Sequence, residues 1–312
     1  MNNEKIAEAV VKTLAYFSLY QYPLTLAEIQ SQLLTVEKTS STETLKSLNF
    51  LIEKKVVGFS NGFYFLFGEN IFVKTRQKKY ADFWQKIKKI RIYLRILSAI
   101  PFVKAIFVCN ETSLQNSASD SDLDLAIITK AKRLWLCRFF ANFTMKILNA
   151  RPKKNYKKNK ICLSFWLDEN FLNLKKITFA NDIRLAYWLK NFWPVYLSDE
   201  KILQKLKDEN TWLNEFFGEI NFKTQIEPFI FYTGFLKIFF EKILNNKFGD
   251  FLTKILKIFQ LKIMPKRLKR LAKIVNSGVL VSDQICKLHL NDDREIIAHR
   301  WLQKTQKFLA KI

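Results

Sequence analysis

Glycine and proline are scarce in this chain, seven and six among 312 residues. That scarcity excludes collagen-like, low-complexity and linker-dominated architectures, and it calls for helices and strands joined by short connections. Cysteine is sparse too. Cys109, Cys137, Cys162 and Cys286 stand far apart and form no Cys-x-x-Cys pair, which argues against a disulfide scaffold and a structural zinc site. Cys109 and Cys162 fall in apolar runs expected to be strands, where a free buried thiol is the ordinary state. The start, Met1-Asn2-Asn3-Glu4-Lys5, leads into an amphipathic helix and not a signal sequence, so a reduced, cytoplasmic protein is expected. The richest apolar stretch, Phe229 to Phe240, is short and interrupted by Lys237, so no transmembrane segment is expected.

Acid is the remaining shortage. Lys and Arg total 52 against 28 Asp and Glu, a net charge of +24, and the excess is local. Residues 1 to 68 hold six Lys and six Glu and are neutral. Residues 69 to 100 carry nine bases and two acids, 151 to 160 six bases and no acid, and 251 to 280 eight bases and no acid. Such clusters suit a polyanionic partner, with RNA, DNA, nucleotides and anionic membrane all candidates. A composition biased toward Lys, Asn, Ile and Phe would also produce them without any ligand.

Phenylalanine is abundant, at 29 residues, and 49% of the chain is hydrophobic, which supports substantial cores in about two domains or slightly more. In residues 1 to 70, Ile6, Val10, Leu14 and Phe17 form a helical stripe. Thr25-Leu26-Ala27-Glu28 and Ser40-Ser41-Thr42-Glu43 are capping boxes opening two further helices, the second turning Leu45, Leu48 and Leu51 or Ile52 inward. Two short runs around Asn61-Gly62 signal a hairpin. Three helices followed by a hairpin is the winged-helix order. Lys46 and Asn49 on its recognition helix offer little charge for a duplex, so the unit reads as a packing or protein-partner module as well as a DNA reader. Residues 72 to 99 then read as one basic helix with Tyr80, Phe83, Trp84, Ile87, Ile90, Leu94 and Leu97 on its inner stripe. Its lysines and arginines, Lys86 among them, take the remaining positions, as a solvated face or a groove for a polyanion.

The chemistry concentrates between Val103 and Ile128. An apolar run to Cys109 is followed by a polar loop and then by Asp120-Ser121-Asp122-Leu123-Asp124 at the head of a second apolar run. Side chains two apart on a strand share a face, so Asp122 and Asp124 present two carboxylates together, as Mg²⁺ shared with phosphates requires. A solvated turn before a buried strand has the same composition. This stretch, roughly residues 100 to 170, resembles the polymerase-beta-like nucleotidyltransferase superfamily, whose motif is an apolar strand, Gly-Ser, a short helix and Ser-Asp-x-Asp on the next strand. Ser121-Asp122-Leu123-Asp124 matches the second half. The Gly-Ser slot falls on Asn110 and Glu111, and no glycine occurs between Pro101 and Asn170.

The resemblance implies that Asp122 and Asp124 hold two Mg²⁺ ions on the phosphates of a nucleoside triphosphate. It implies transfer of a nucleoside monophosphate to an acceptor hydroxyl with release of pyrophosphate. Asn110, Thr112, Ser113 and Ser121 are the candidates for the phosphate loop. Asn tolerates the left-handed backbone that glycine supplies in the family, and Thr112 and Ser113 offer replacement hydroxyls. A third carboxylate is expected on the next strand, Ile161 to Leu167, but none lies within it; Asp168 at its end is the nearest. Alternation there places Cys162, Ser164 and Trp166 on one face and Ile161, Leu163 and Phe165 on the other. The alternative is a catalytically impaired protein of the same fold that binds nucleic acid or a partner, or regulates.

Between these strands Ala131 to Asn149 reads as a helix, and 151 to 160 as a basic loop, either beside the substrate phosphates or simply on the surface. Beyond residue 171 the pattern is mainly helical: Ile183 to Phe192, Glu200 to Phe217, Pro228 to Asn245, and a basic stretch over 251 to 275 broken by Pro265. That stretch reads as a packed helix with a basic face, or as one lying on an anionic membrane. His289 and His299 lie near Asp292 and Asp293 without the spacing of a metal site, and Asn291 or Asp292 is expected to cap the last helix. The expected fold class is α+β: a winged-helix domain over 1–70, a basic linking helix over 71–100, a small mixed-sheet nucleotidyltransferase-like domain over 101–175 and a helical region over 176–312.

Overall fold

The capping boxes and the Asn-Gly turn shape the first third of the chain. We describe residues 3–153, 156–220, 234–275, 277–290 and 292–312 of a computed structural model. Helix α1 (Asn3–Ser18) is followed by α2 (Leu26–Gln32) and α3 (Ser41–Glu53). In α2 the Thr25 hydroxyl accepts from the Glu28 amide while the Glu28 carboxylate accepts from the Thr25 amide; Ser40 and Glu43 do the same for α3. Strands β1 (Val57–Ser60) and β2 (Phe63–Leu66) pair antiparallel across Asn61 and Gly62, whose φ of 51° and 81° are those of a type I′ turn. Leu24 bridges to Tyr64. Leu48 and Leu51 face inward as expected, but Leu45 is exposed, and Thr44 fills the inner position by donating to Gln30. Lys46 and Asn49 remain exposed.

Helix α4 (Ile71–Ser98) leads into the rest: β3 (Val103–Val108), α5 (Asn110–Ser113), β4 (Leu123–Thr129), α6 (Leu134–Ile147), β5 (Ile161–Asp168), α7 (Ile183–Lys190) and β6 (Trp193–Leu197). Then come α8 (Lys201–Asp208), α9 (Asn214–Phe217), α10 (Phe235–Leu244), α11 (Lys247–Ile263), α12 (Lys266–Leu271), β7 (Val279–Val281), β8 (Ile285–Leu288) and α13 (Arg294–Leu309). The first part of the helix expected over Pro228 to Asn245, and Asn291 as a cap, lie outside the described residues. The fold class is α+β, with a mixed six-stranded sheet in the order β6-β3-β4-β5-β8-β7. Only β4 and β5 are parallel.

The region expected to be mainly helical supplies three of the six strands. None of them advertises itself. β6 carries Pro194, which has no amide to donate, and its pairing with β3 shifts register there. β7 is three residues long, and β8 contains Lys287.

Period-two alternation divides the sheet between two cores. Ala105, Phe107, Ala126, Ile128 and Phe165 face α1, α7 and α13; Ile106, Val108, Leu125, Ile127 and Trp166 face α4 and α6. A register shift between β4 and β5, from Asp124↔Cys162 to Ala126↔Phe165, breaks the simple alternation of β5. Phe165 therefore joins the side of Cys162, and Trp166 that of Leu163, the reverse of strict alternation. The N-terminal unit is packed into the first core, not held apart from it. Tyr187 Oη donates to Gln32 O at 2.9 Å, Tyr22 Oη to Leu114 O at 2.7 Å and Trp301 Nε1 to Lys12 O at 2.9 Å. Lys304 of α13 closes the same side, reaching Glu69 at 2.6 Å.

Candidate functional site

The end of β3 and the starts of β4 and β5 lie together at one end of the sheet, because β4 runs back along β3 while β5 runs alongside β4. Asp122 and Asp124 open β4 there. The Asp124 backbone oxygen accepts from Cys109 N at 3.1 Å, which ties the head of β4 to the tail of β3. Across the parallel pair, Asp124 stands opposite Cys162. Asp122, Asp124 and Cys162 each bring a ligand atom within 4.8 Å of the others, and no other such group of three occurs among the described residues. Desolvation raises the Asp124 carboxyl; the neighbouring Asp122 charge adds to this, and a 2.8 Å hydrogen bond from Asn110 Nδ2 opposes it.

Asn110 has a φ of 57°. This is the left-handed region that glycine enters freely and asparagine better than most other residues, so the turn out of β3 has the backbone form of a glycine turn without the glycine. Its side chain, however, is spent on Asp124. Glu111 follows, exposed, with its carboxyl raised by desolvation and held back by Lys79 and Arg184. Thr112 and Ser113 are buried, and the Ser113 hydroxyl donates to Asn110 O at 2.7 Å. Ser121 is also engaged, by Lys86.

Lys86 was expected on the outer face of the basic helix. Instead it is 2% exposed, and its ammonium donates to Ser117 Oγ, Ala118 O, Ser121 O and Ser121 Oγ at 2.5 to 2.8 Å. Burial lowers it to about 8, against the pull of Asp122, Asp120 and Asp124. One buried cation thus pins the loop that delivers the aspartates. No family model, curated protein or solved structure matches this chain. What the site can do has to be judged from its own groups.

On β5 the thiol of Cys162 is pushed up to about 12, chiefly by burial and by Asp124, so it is protonated at neutral pH. It donates to Ser164 Oγ at 3.3 Å, and Ser164 lies 3.2 Å from His289 Nε2. Burial lowers His289 to about 4, leaving a neutral ring. His289 reaches this face through β8, which pairs with β5. Nothing in the sequence pattern linked it to the aspartates; only the pairing of β8 does. Asp168 does not join them. It pairs with Thr129 at the far end of the parallel strands and accepts from Lys132 N and Asn170 N, a turn role.

The donor set fits one Mg²⁺ and not a complete pair. Two carboxylates on one face match a cation that keeps waters and takes its remaining oxygens from phosphate. A protonated thiol in the place of a third carboxylate is a poor ligand for so hard an ion. Basic groups lie near: the Lys157 charge favours the ionised form of Asp124, and Lys79 and Arg184 act on Glu111. The loop over 151 to 160 also enters β5 beside the site, where Lys160 O accepts from Leu123 N at 2.8 Å.

Proposed function

We propose that the Asp122–Asp124 face binds the triphosphate of a nucleoside triphosphate with Mg²⁺ and transfers its nucleoside monophosphate to an acceptor hydroxyl, as a nucleotidyltransferase. The observation that carries this is the convergence of the two carboxylates with the left-handed turn at Asn110, at one end of an antiparallel β3–β4 and parallel β4–β5 arrangement. Asp122 and Asp124 would hold the ion, which neutralises phosphate charge and favours attack at phosphorus. Lys86 fixes the loop ahead of Asp122, and the basic groups nearby favour a polyanionic ligand. The one carboxylate of β5, Asp168, stands at the strand's far end, so none lies beside the aspartates to take the acceptor's proton. The groups left near that face are the two aspartates themselves and the neutral ring of His289.

A second reading, binding without transfer, is favoured by one specific feature: Cys162 occupies the strand position that faces Asp124. The N-terminal unit fits the winged-helix order, and its burial against α7 and α13 supports a packing role, with the outer face of α3 left for a partner. Calorimetric titration with ATP, GTP, CTP and UTP, with and without Mg²⁺, tests the site. Metal-dependent binding that Asp122→Asn abolishes supports it, and pyrophosphate release in the presence of an acceptor separates transfer from binding alone. No binding of any nucleotide would sink the transferase reading and favour an impaired protein of this fold that regulates or binds nucleic acid or a partner.

A further inference from the structure

Two helices of the C-terminal half keep most of their large apolar side chains on the outside. α10 turns two charged side chains toward the sheet, ahead of the buried Leu244. Lys237 Nζ donates to Ser98 O, Val103 O and Tyr196 Oη at 2.7 to 2.8 Å, and Glu241 accepts from Phe102 N at 2.7 Å. The rest of the helix presents Phe235, Leu236, Ile238, Phe239, Phe240 and Ile243, each at least 45% exposed. α11 packs Leu252, Leu256 and Leu261 against the core yet keeps a second apolar stripe outward. Thr253 and Gln260 are buried, with Gln260 donating to Trp135 O at 2.8 Å and accepting from Arg138 at 2.7 Å. Outward stand Phe248, Phe251, Ile255, Ile258, Phe259 and Ile263, each at least 44% exposed. α6 extends the surface: the Phe139 ring meets Phe259 at 6.1 Å and stacks on exposed Phe143 at 6.0 Å.

An amphipathic helix in water turns its apolar stripe to the core and its charges outward. Here much of the apolar surface of two consecutive helices is left outside the core, more than a monomer in water normally leaves bare. Beside it in the chain, α12 and the residues after it bring Lys266, Arg267, Lys269, Arg270 and Lys273, with no acid from 251 to 280. No helix among the described residues is long and apolar enough to cross a membrane.

We propose that the α6–α10–α11 face lies on an anionic lipid bilayer, with its aromatic and aliphatic side chains in the interface and the α12 bases on the headgroups. Charge selects this occupant. A second copy of a chain carrying +24 would bring like charges together around the apolar patch, whereas an anionic surface complements both the patch and its basic flank. The assignment goes beyond the nucleotide reading and does not rest on it.

The test is flotation of the full chain with vesicles of phosphatidylglycerol and phosphatidylcholine, and with phosphatidylcholine alone, at low and high salt. A strongly basic protein binds anionic vesicles at low salt whatever its surface, so the apolar contribution is read at high salt. The wild type is expected to stay partly bound there. The triple variant Phe239→Ser, Phe251→Ser, Ile258→Ser, altered only at exposed positions, should lose about a hundredfold in partitioning. Gln at Lys266, Arg267 and Arg270 should weaken low-salt binding by about fivefold for each charge removed. Equal binding by the wild type and the serine variant at high salt overturns the proposal, since charge alone would then account for it. So does a wild type that floats with neither vesicle, or one that is dimeric and becomes monomeric with the three serines, which would make a second copy the occupant.

Discussion

Replacing Lys86 by Met keeps the length of the stem and removes only the ammonium, so it isolates what the buried charge does. Four hydrogen bonds disappear. Part of the loss is covered, because Ser117 and Ser121 hydroxyls still meet at 2.9 Å and Ala118 O still accepts from Ser121 Oγ at 2.9 Å. Ser121 O is left without its donor, at about 1–3 kcal/mol for a buried unsatisfied carbonyl, and the charge-assisted bonds to the hydroxyls are lost as well. Relief from burying an ammonium works the other way. The expected net loss is about 1–3 kcal/mol at neutral pH, read by urea denaturation.

The pH dependence is sharper than the magnitude. Burial lowers Lys86 from 10.5 to about 8, so between those values the unfolded chain holds a proton that the folded chain has shed. Stability from this group therefore rises with pH through that window and is lost as pH falls through about 8. Met has no such dependence. The gap between wild type and Lys86→Met should widen by up to about 3 kcal/mol across the window, and amide exchange over residues 117 to 121 should quicken in the variant. A gap that stays constant or narrows with pH, or a variant as stable as wild type with an equally protected loop, would refute the role given to Lys86.

Three other changes probe the site and its frame. The double change Asn110→Gly with Glu111→Ser frees the carboxylate bond and removes a negative charge, so Mg²⁺-dependent nucleotide affinity should rise about tenfold in titration calorimetry, as for about 1.4 kcal/mol; unchanged affinity would mean the phosphate loop lies elsewhere. Cys162→Asp places a third carboxylate opposite Asp124. Without metal it should cost about 1–3 kcal/mol in thermal unfolding through desolvation and like-charge crowding, and Mg²⁺ should recover much of that. Gly249→Ala would set its Cβ 1.8 Å from Leu244 O, a backbone atom. The turn between α10 and α11 must then shift, with an expected loss of about 2 kcal/mol or more in denaturant titration; a neutral result would mean that the turn is not held as tightly as the contact indicates.

Features fixed by near neighbours were legible in the residues. Both capping boxes, the Asn61-Gly62 turn, the stripe of α1 and the shared face of Asp122 and Asp124 depend on spacings of two to four, and each is present in the structure. The misses have one physical origin, contacts distant in sequence. Lys86 looks like a surface lysine until the loop over 117 to 121 folds onto it. β6 and β8 gain strand character from pairing with β3 and β5, and His289 reaches the site only through β8. The helices ending at Asn245 and running through the basic stretch were also expected, but a helical pattern alone does not say which face meets the protein. Lys237 and Gln260, bonded inward, decide which face meets the protein.

The lock between α1 and α13 sets an order on synthesis. Residues 3–18 leave the ribosome well before Trp301 and Lys304, which complete their buried faces through Lys12 and Ser18. The sheet shows the same delay, since β5 must wait for β8 on its open edge. The chain through α13 has to be made before α1 has its final neighbours, and closing so long a loop is slow. In the interval the early segments expose apolar surface, which is when folding is most open to aggregation or to capture by chaperones.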